Sequence, residues 1–256
     1  MLVAGAVSVA VGASFAAVAA AVLRRKHGGI PLTAFAVWWA ALAGYLVLQG
    51  SFTAAAGLGD LDPRAYRLSR IVTIPLLCAG VWGLTSFLLY VYTGKRRVFA
   101  VVGVLYALVA ALFYYATFGQ GTLGVTTQTW ILSIDDSGAL YRIVYGLVGV
   151  PPIAAAVAYL LLLRHVDEPM QRYRIILVAG SILAYVGSGL AARLLADDAL
   201  IFVTLVLFGA LAGAASVLAY FPPAWVRLRL DGEGHERLRA RAEREKARQR
   251  RWRDLI

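Results

Sequence analysis

An uncharged run at residues 71–92 constrains the fold of this 256-residue chain more than any other feature. A helix over its 22 residues is about 33 Å long, and the hydrocarbon core of a bilayer is about 30 Å thick. Basic residues border the run, with Arg70 directly before it and Lys95 shortly after it. Pro75 inside the run permits a kink and frees a backbone carbonyl that a neighbouring helix must satisfy. The run therefore predicts a membrane-spanning helix packed among others.

The composition of the whole chain is that of a membrane protein. Hydrophobic residues make up 61% of it and charged residues only 15%, whereas soluble domains carry about 25% charged residues. We predict an all-α fold, with a seven-transmembrane-helix bundle over residues 1–223 and a basic helical tail over residues 224–256. A lone cysteine, Cys78 in the third span, excludes an internal disulfide. The predicted spans are residues 2–23, 32–57, 71–92, 98–118, 141–163, 175–195 and 200–221.

The distribution of lysine and arginine predicts the orientation of the bundle. When the spans alternate in direction, nine basic residues of the connectors and eleven of the tail fall on one side, against five on the other. Cytoplasmic connectors carry the excess of basic residues, so we predict an outside N-terminus, a cytoplasmic C-terminus and a multi-pass protein of the plasma membrane. Basic residues follow the first span rather than precede it, unlike a signal peptide, so we expect this span to be retained.

The second predicted span is polar in its outer half. Gln49, Ser51 and Thr53 all fall there. Polar side chains in a membrane helix either form hydrogen bonds to neighbouring helices or line a polar cavity, and the sequence leaves both interpretations open.

Prolines and glycines predict local features of the fifth and seventh spans. Pro151 and Pro152 indicate a kink near the middle of the fifth span. Gly209 and Gly213 form a small-xxx-small pattern that favours close helix packing in the seventh.

The longest outer connector follows the fourth span. Its residues 124–132 alternate in β-branched side chains, and residues 135–138 are a turn signal. A short hairpin or an ordered lid fits this pattern, and a simple connector fits it equally well.

A group of charged residues falls at the outer ends of the predicted spans. Structural ion pairing and a binding site for an anionic ligand both fit such a group. The basic members are Arg64, Arg67, Arg70, Arg142 and Arg193, and the acidic members are Asp60, Asp62, Asp135, Asp136, Asp197 and Asp198. The candidate ligand-binding residues are Arg67, Arg70, Arg142, Arg193 and Gln49.

The sequence lacks the residues that membrane enzymes and pumps require. All fourteen carboxylates fall in connectors, at span ends or in the tail, which disfavours proton pumps and many ion-coupled transporters. His27, His165 and His235 all fall on the cytoplasmic side, so no pair can sandwich a haem and no cluster has metal-ligand spacing. Neither a phosphate-binding glycine loop nor a nucleophile elbow is present. We therefore predict a protein without enzymatic activity, cofactor or metal.

Large aromatic side chains in the second and third spans have the size to line an apolar pocket. Residues at such spacing are usually core, so we expect no covalent chromophore. These residues are Trp38, Trp39, Trp82, Tyr90 and Tyr92.

The tail changes character after residues 231–234. Residues 235–256 combine strong helix formers with interspersed arginine, lysine and glutamate. A solvated charged helix, a helix at an anionic lipid surface and a helix that binds a partner protein all fit this pattern. Nucleic-acid binding is disfavoured, because no base-stacking pattern accompanies the charge.

Two short segments resemble the microbial rhodopsins, as does the predicted seven-helix topology. The segments are residues 73–77 (TIPLL) in the third span and 200–202 (LIF) in the seventh. The retinal lysine of that family would fall near Ala210, but the lysines of this chain, Lys26, Lys95 and Lys246, all lie outside the predicted spans. The resemblance therefore implies the topology without a retinal Schiff base.

The chain also resembles the seven-helix sensor modules at the N-terminus of some prokaryotic sensor kinases. The shared features are residues 89–96 (LYVYTGKR) closing a span, 171–172 (QR) opening another, and 222–225 (PPAW) after the last. The resemblance covers most of residues 30–227 and implies a sensor. This sequence ends at Ile256 with no kinase domain, so we expect no enzymatic output from it.

These patterns together predict a non-enzymatic, receptor- or sensor-like seven-helix membrane module. We expect it to lie in the lipid bilayer and to couple, through residues 235–256, to a cytoplasmic signalling protein or to a partner in a membrane complex. The alternative is a small-molecule transporter or a structural subunit of a membrane complex. The prolines of the third and fifth spans and the polar outer half of the second keep the transporter open.

Overall fold

The computed structural model describes residues 1–24, 29–59, 62–119, 125–127, 132–134, 139–194 and 199–230. In these residues the chain forms long helices with one small hairpin. The helices are α1 (Leu2–Leu23), α2 (Gly29–Leu58), α3 (Pro63–Thr93), α4 (Arg97–Tyr114), α5 (Ala139–Leu162), α6 (Pro169–Leu194) and α7 (Ala199–Tyr220). A π-helical turn, Tyr115–Gly119, extends α4, and a short helix, α8 (Ala224–Leu230), follows α7 at an angle of 57°.

Each of the seven predicted spans is a helix, and the first has the predicted bounds. Five helices, α1 to α5, are long and apolar enough to cross a membrane. The number rises to six when α7 and α8 are taken together as one bent span. The helix α6 is not among them, and it begins with the polar sequence PMQRYR. The architecture is thus that of a helical, multi-pass membrane protein.

Local sequence signals explain the limits of α3. The Asp62 side chain accepts a hydrogen bond of 2.9 Å from the backbone N–H of Arg64, and Pro63 occupies the first helical position. This is a favourable N-cap, because the cap satisfies one of the free N–H groups and proline has none to satisfy. Gly94 ends the helix with a left-handed backbone at φ 66°, a conformation that glycine adopts without strain.

The helices pack into a closed ring. Successive helices contact each other from α1 to α7, α7 returns to α1, and α3 also contacts α5. Glycine allows close approach at several places: a Cβ on Gly83 of α3 would lie only 2.3 Å from the Ala34 carbonyl oxygen of α2. Gly209 and Gly213 face Val11 of α1, which confirms the predicted packing role of the small-xxx-small pattern.

Successive helices run in opposite directions, so the two ends of the ring differ in charge. The carboxyl ends of α1, α3, α5 and α7 lie with the amino ends of α2, α4 and α6. We call this the basic end of the bundle. Its described basic residues are Arg24, Lys95, Arg96, Arg97, Arg164, Arg172, Arg174, Arg227 and Arg229, and its described acidic residues are Asp167 and Glu168.

Aromatic rings fill the interior towards the basic end. Eight rings form one connected group, the aromatic cluster, with neighbouring centroids 4.8 to 6.5 Å apart. Such separations are typical of favourable edge-to-face and offset ring pairs. The members are Phe15, Phe35, Trp38, Trp39, Phe87, Tyr159, Tyr185 and Tyr220.

The carbonyl that Pro75 frees in α3 is satisfied by a neighbouring helix, as predicted. Pro75 has no N–H to donate to the carbonyl oxygen of Ile71, one turn earlier. The Tyr114 hydroxyl of α4 donates a hydrogen bond to that oxygen. An otherwise unsatisfied backbone group in the bundle is thereby paired.

The same arrangement recurs in α5. Pro151 cannot pair with the carbonyl of Leu147, and the Tyr106 hydroxyl of α4 donates to that oxygen over 3.4 Å. Tyr106 and Tyr114 are eight residues apart, so α4 supplies both hydroxyl groups from nearly the same face. The position of α4 is therefore linked to the prolines on both neighbouring helices.

The connector between α4 and α5 contains a hairpin, one of the predicted alternatives. Strand β1 (Val125–Thr127) pairs antiparallel with β2 (Leu132–Ile134), with Val125 opposite Ile134. Strand β2 lies against α2. The predicted turn at residues 135–138 and the tail helix at residues 235–256 lie outside the described residues.

Candidate functional site

A buried arginine lies between α2 and α3 at the end of the bundle opposite the basic end. Arg70 has only 5% of its surface exposed. Its guanidinium donates a hydrogen bond of 2.6 Å to the Tyr66 hydroxyl oxygen and lies 5.0 Å from the centre of the Tyr66 ring. Gln49 of α2 donates a second hydrogen bond, of 3.0 Å, to the same oxygen. One tyrosine oxygen thus joins the two helices and holds both polar side chains.

Three further tyrosines surround this group. The Tyr45 side chain of α2, one turn before Gln49, lies close enough to Arg70 for an electrostatic interaction. Tyr145 of α5 lies close enough to Tyr45 for an electrostatic interaction, and so does Tyr185 of α6. We call Tyr45, Gln49, Tyr66 and Arg70 the Arg70 cluster.

The helical spacing of these residues explains why they meet. Tyr66 and Arg70 are four apart on α3, and Tyr45 and Gln49 are four apart on α2, so each pair shares one face of its helix. Because α2 and α3 are antiparallel, the end of α2 faces the beginning of α3. A charge inside a membrane bundle is costly unless it is paired or has a role.

The structure separates the other candidate residues from the Arg70 cluster. Arg67 is half-buried, and its guanidinium lies 5.9 Å from the ring centre of Phe118 in the π-helical turn. Arg142 is exposed near the beginning of α5. The side chain of Arg193 lies outside the described residues. Among the predicted residues whose side chains are described, Arg70 and Gln49 meet at the Tyr66 hydroxyl oxygen.

The polar side chains in the second half of α2 form hydrogen bonds within the protein. Gln49 bonds across to α3, which confirms one of the two interpretations for this residue. Ser51 and Thr53 instead donate to carbonyls of their own helix, those of Val47 and Gln49. Such bonds within one helix satisfy a hydroxyl without requiring a cavity.

Tyr66 is the residue that sequence reasoning missed. It lies before the uncharged run, where tyrosine usually marks the membrane interface, but it is fully buried. The four-residue spacing to Arg70 was the signal that could have identified it, because residues at this spacing are neighbours on a helix.

The large aromatic residues of α2 and α3 do not form one pocket. Trp38 and Trp39 are buried in the aromatic cluster, whereas Trp82 donates from Nε1 to the Phe99 carbonyl of α4. Tyr92 is exposed and donates to the Ala158 carbonyl of α5. Ala210, the position closest to the retinal lysine in the rhodopsin resemblance, is exposed on α7.

The remaining chemistry in the described residues is limited. Nowhere in these ranges do three histidine, cysteine or acidic side chains come together as a metal site. Cys78 is buried in α3. At the basic end, Lys95, Arg96 and Arg97 line a surface depression between α3 and α4.

Comparison with protein-family models found no match, and comparisons with curated proteins and with solved structures found none either.

Proposed function

We propose that this protein is a non-enzymatic, receptor-like membrane module that binds an anionic small molecule at the Arg70 cluster. The observation that carries the proposal is the burial of the Arg70 guanidinium, hydrogen-bonded to Tyr66, between two helices. An ionisable residue inside a membrane bundle is commonly functional, because burying a charge costs free energy that packing alone does not repay.

The chemistry of the Arg70 cluster favours a carboxylate as ligand. A guanidinium presents several N–H donors in one plane, which match the two oxygens of a carboxylate. The neighbouring tyrosine hydroxyls and the Gln49 amide add donors that can orient an anion beside Arg70.

The topology that we propose is seven membrane spans with the Arg70 cluster on the outer side. Seven helices alternate in direction, and the basic residues collect at one end of the ring, which supports a cytoplasmic position for that end. Under this proposal α6 crosses the membrane despite its polar beginning, because it lies between α5 and α7 in the ring. Reporter fusions at residues 166 and 197 test this, and we expect a cytoplasmic signal at 166 and an outer signal at 197. The same location for both would remove α6 from the spans.

A series of neighbouring side chains supports a role in signalling between the two ends. Arg70 lies near Tyr45, which lies near Tyr185 of α6. Tyr185 contacts Trp38 in the aromatic cluster, whose last member, Tyr220, ends α7. The basic tail, residues 235–256, would then carry the response to a cytoplasmic partner.

Ligand binding is tested by thermal unfolding of the purified protein with a panel of monocarboxylates, dicarboxylates and inorganic phosphate. We expect at least one carboxylate to raise the midpoint for the wild type and for Arg142→Gln, but not for Arg70→Gln. Arg142 is the matched control, since it is a basic residue at the same end but exposed. Equal ligand-induced shifts of the unfolding midpoint in Arg142→Gln and Arg70→Gln would overturn the assignment to Arg70.

The same protein in liposomes separates a receptor from a transporter. The aromatic cluster fills the interior between the Arg70 cluster and the basic end, which supports a packed bundle that binds without carrying solute. We expect no accumulation of the radiolabelled carboxylate that gives the thermal shift. Uptake that depends on Arg70 would favour the transporter instead.

A further inference from the structure

The short helix α8 combines exposed apolar and basic side chains directly beyond the last helix of the ring. Trp225 is 69% exposed and Leu228 is 77% exposed, whereas Val226 is only 7% exposed. The helix begins immediately after Pro222-Pro223, and the backbone N–H of Arg227 donates to the Pro223 carbonyl over 3.1 Å. The buried Val226 therefore fixes α8 to the bundle while Trp225 and Leu228 face outwards.

Helical spacing places charge on both sides of this apolar pair. Trp225 and Leu228 are three residues apart, so they lie on one face of α8. Going around the helix, the exposed Arg227 lies beyond Leu228, and the exposed Arg229 lies beyond Trp225. An apolar pair flanked by basic residues is typical of a helix in the membrane interface, where the rings enter the acyl boundary and the cations reach the head groups.

The surroundings of α8 indicate what covers this face. Exposed apolar side chains follow one face of α7 to its end and lead directly to α8, in the order Val203, Leu207, Leu211, Leu218 and Phe221. The membrane-crossing helices make lipid the natural neighbour of this stripe. The bend of 57° then turns the chain away from the direction of α7, as a helix lying in the interface requires.

The charge of this end specifies the kind of lipid. Nine basic and two acidic side chains are described at the basic end, a net charge of +7. Such an excess attracts anionic head groups within about a Debye length, which is about 8 Å at physiological ionic strength.

We propose that α8 is an interfacial helix that binds anionic lipid, with Trp225 and Leu228 in the acyl boundary and Arg227 and Arg229 at the lipid phosphates. This inference rests on the membrane location of the bundle and is independent of any ligand at the Arg70 cluster. The proposal differs from one in which α8 continues α7 across the membrane, because in that case all residues of α8 would lie inside the hydrocarbon core.

Nitroxide scanning of the full chain tests the proposal. Cys78 is the only cysteine and is buried, so a Cys78→Ala background allows single cysteines at residues 224 to 230. In vesicles of phosphatidylcholine with phosphatidylglycerol, we expect high accessibility to oxygen at residues 225 and 228 and high accessibility to a water-soluble nickel complex at residue 227. Lys95→Cys, exposed at the same end, is the reference for a water-facing position.

The lipid composition provides the second comparison. Replacing phosphatidylglycerol with phosphatidylcholine should reduce the oxygen accessibility at residues 225 and 228 severalfold, and so should the double substitution Arg227→Gln, Arg229→Gln. Quenching of Trp225 fluorescence by lipids brominated near the head group, taken as the difference between the wild type and Trp225→Phe, should show the same dependence without a label. Water-like accessibility at 225 and 228, uniform depth from 224 to 230, or indifference to the anionic lipid would each overturn the proposal.

Discussion

Tyr66 determines how Arg70 can be buried beside a membrane. An isolated guanidinium in an apolar interior loses its hydration, and the loss is compensated only by hydrogen bonds and favourable electrostatics. The Tyr66 oxygen accepts a hydrogen bond of 2.6 Å from Arg70. The Tyr66 ring centre lies 5.0 Å from the guanidinium carbon, within the range of a cation–π interaction. Gln49 completes the arrangement from the other helix.

We predict that Tyr66→Phe destabilises the protein while leaving the ring in place. The substitution removes one oxygen that accepts hydrogen bonds from both Arg70 and Gln49, so two buried donors lose a partner. Leaving a buried donor without its partner costs about 1–3 kcal/mol, and more for a charged one. The midpoint of thermal unfolding in detergent should fall by several degrees.

Tyr115→Phe is the control for the loss of a tyrosine hydroxyl. Tyr115 is 59% exposed in the π-helical turn, where water or head groups can replace the lost hydrogen bond. Its unfolding midpoint should stay close to that of the wild type. If the two variants unfold alike, Tyr66 does not stabilise Arg70.

The sequence predicted half of the Arg70 cluster. Arg70 and Gln49 are recognisable because charged and amide side chains are rare in membrane helices. Tyr45 and Tyr66 are not, since tyrosine is as common at interfaces as in cores, and only the pairing of α2 with α3 decides which role it has. Arg67 and Arg142 share the predicted end with Arg70, but the Arg67 guanidinium lies beside the Phe118 ring and Arg142 is exposed.

Tyr114 of α4 donates to the Ile71 carbonyl of α3, which Pro75 leaves without a helical N–H partner. This bond gives a prediction that involves both helices. Tyr114→Phe should destabilise the protein by about 1–3 kcal/mol, because the Ile71 carbonyl then has neither a helical N–H nor a hydroxyl donor. In a Pro75→Ala background, residue 75 regains an N–H that can pair with Ile71, so the same Tyr114→Phe substitution should cost much less. A double-mutant cycle measured by thermal unfolding gives the coupling between the two positions.

If the effects of Tyr114→Phe and Pro75→Ala on the free energy of unfolding are additive, this explanation is contradicted. Tyr90→Phe serves as the reference, because the Tyr90 ring packs on Phe99 between the same two helices but does not bond to the Ile71 carbonyl. Its effect should be the same in the wild type and in the Pro75→Ala background.

Close helix contact at Gly83 gives a third prediction. A Cβ added there would lie 2.3 Å from the Ala34 carbonyl oxygen and 3.1 Å from the Trp38 backbone nitrogen. These are backbone atoms that cannot rotate away, so Gly83→Ala should force α2 and α3 apart and cost about 1–3 kcal/mol.

The matched substitution is Gly146→Ala in α5, where no heavy atom of the described residues lies within 4 Å of the added Cβ. It should be neutral or stabilising by about 0.5–1 kcal/mol, because alanine restricts the unfolded chain more than glycine does. Both variants can be compared by thermal unfolding in one detergent, and equal midpoints would count against close packing at Gly83.

At the scale of whole elements, the sequence predicted the helices better than their ends. The uncharged runs located all seven helices, but α3 begins at Pro63 rather than at residue 71, because the Asp62 cap lies outside the apolar run. Neither hydropathy nor periodicity distinguished α8 from the tail, since seven residues with two arginines are too short for a clear pattern. The exposed Trp225 beside the buried Val226 became visible only when packing was known.

The molecule as a whole has two ends of different character. One end carries the Arg70 cluster, in which the buried guanidinium donates to the Tyr66 hydroxyl. The other carries a net charge of +7 in described residues, the depression beside Lys95, and α8. The aromatic cluster lies between them and includes rings from α1, α2, α3, α5, α6 and α7. Under the proposed function, a change in tyrosine packing near Arg70 would be transmitted through rings that six helices of the closed ring supply.

The tail supplies the last prediction. Residues 225–256 carry eleven basic and six acidic side chains, a net charge of +5 beside the basic end. Deleting residues 235–256 should leave the unfolding midpoint almost unchanged, because the described helices bury the aromatic cluster among themselves. It should reduce binding to anionic vesicles and remove proteins that co-purify with the full chain, since each basic residue near an anionic leaflet contributes about 1 kcal/mol. A scrambled tail of the same composition separates charge from sequence, because it should restore vesicle binding without restoring the co-purifying proteins. If the truncated bundle instead unfolds at a clearly lower temperature, the tail is part of the fold, and its proposed role in coupling loses its main support.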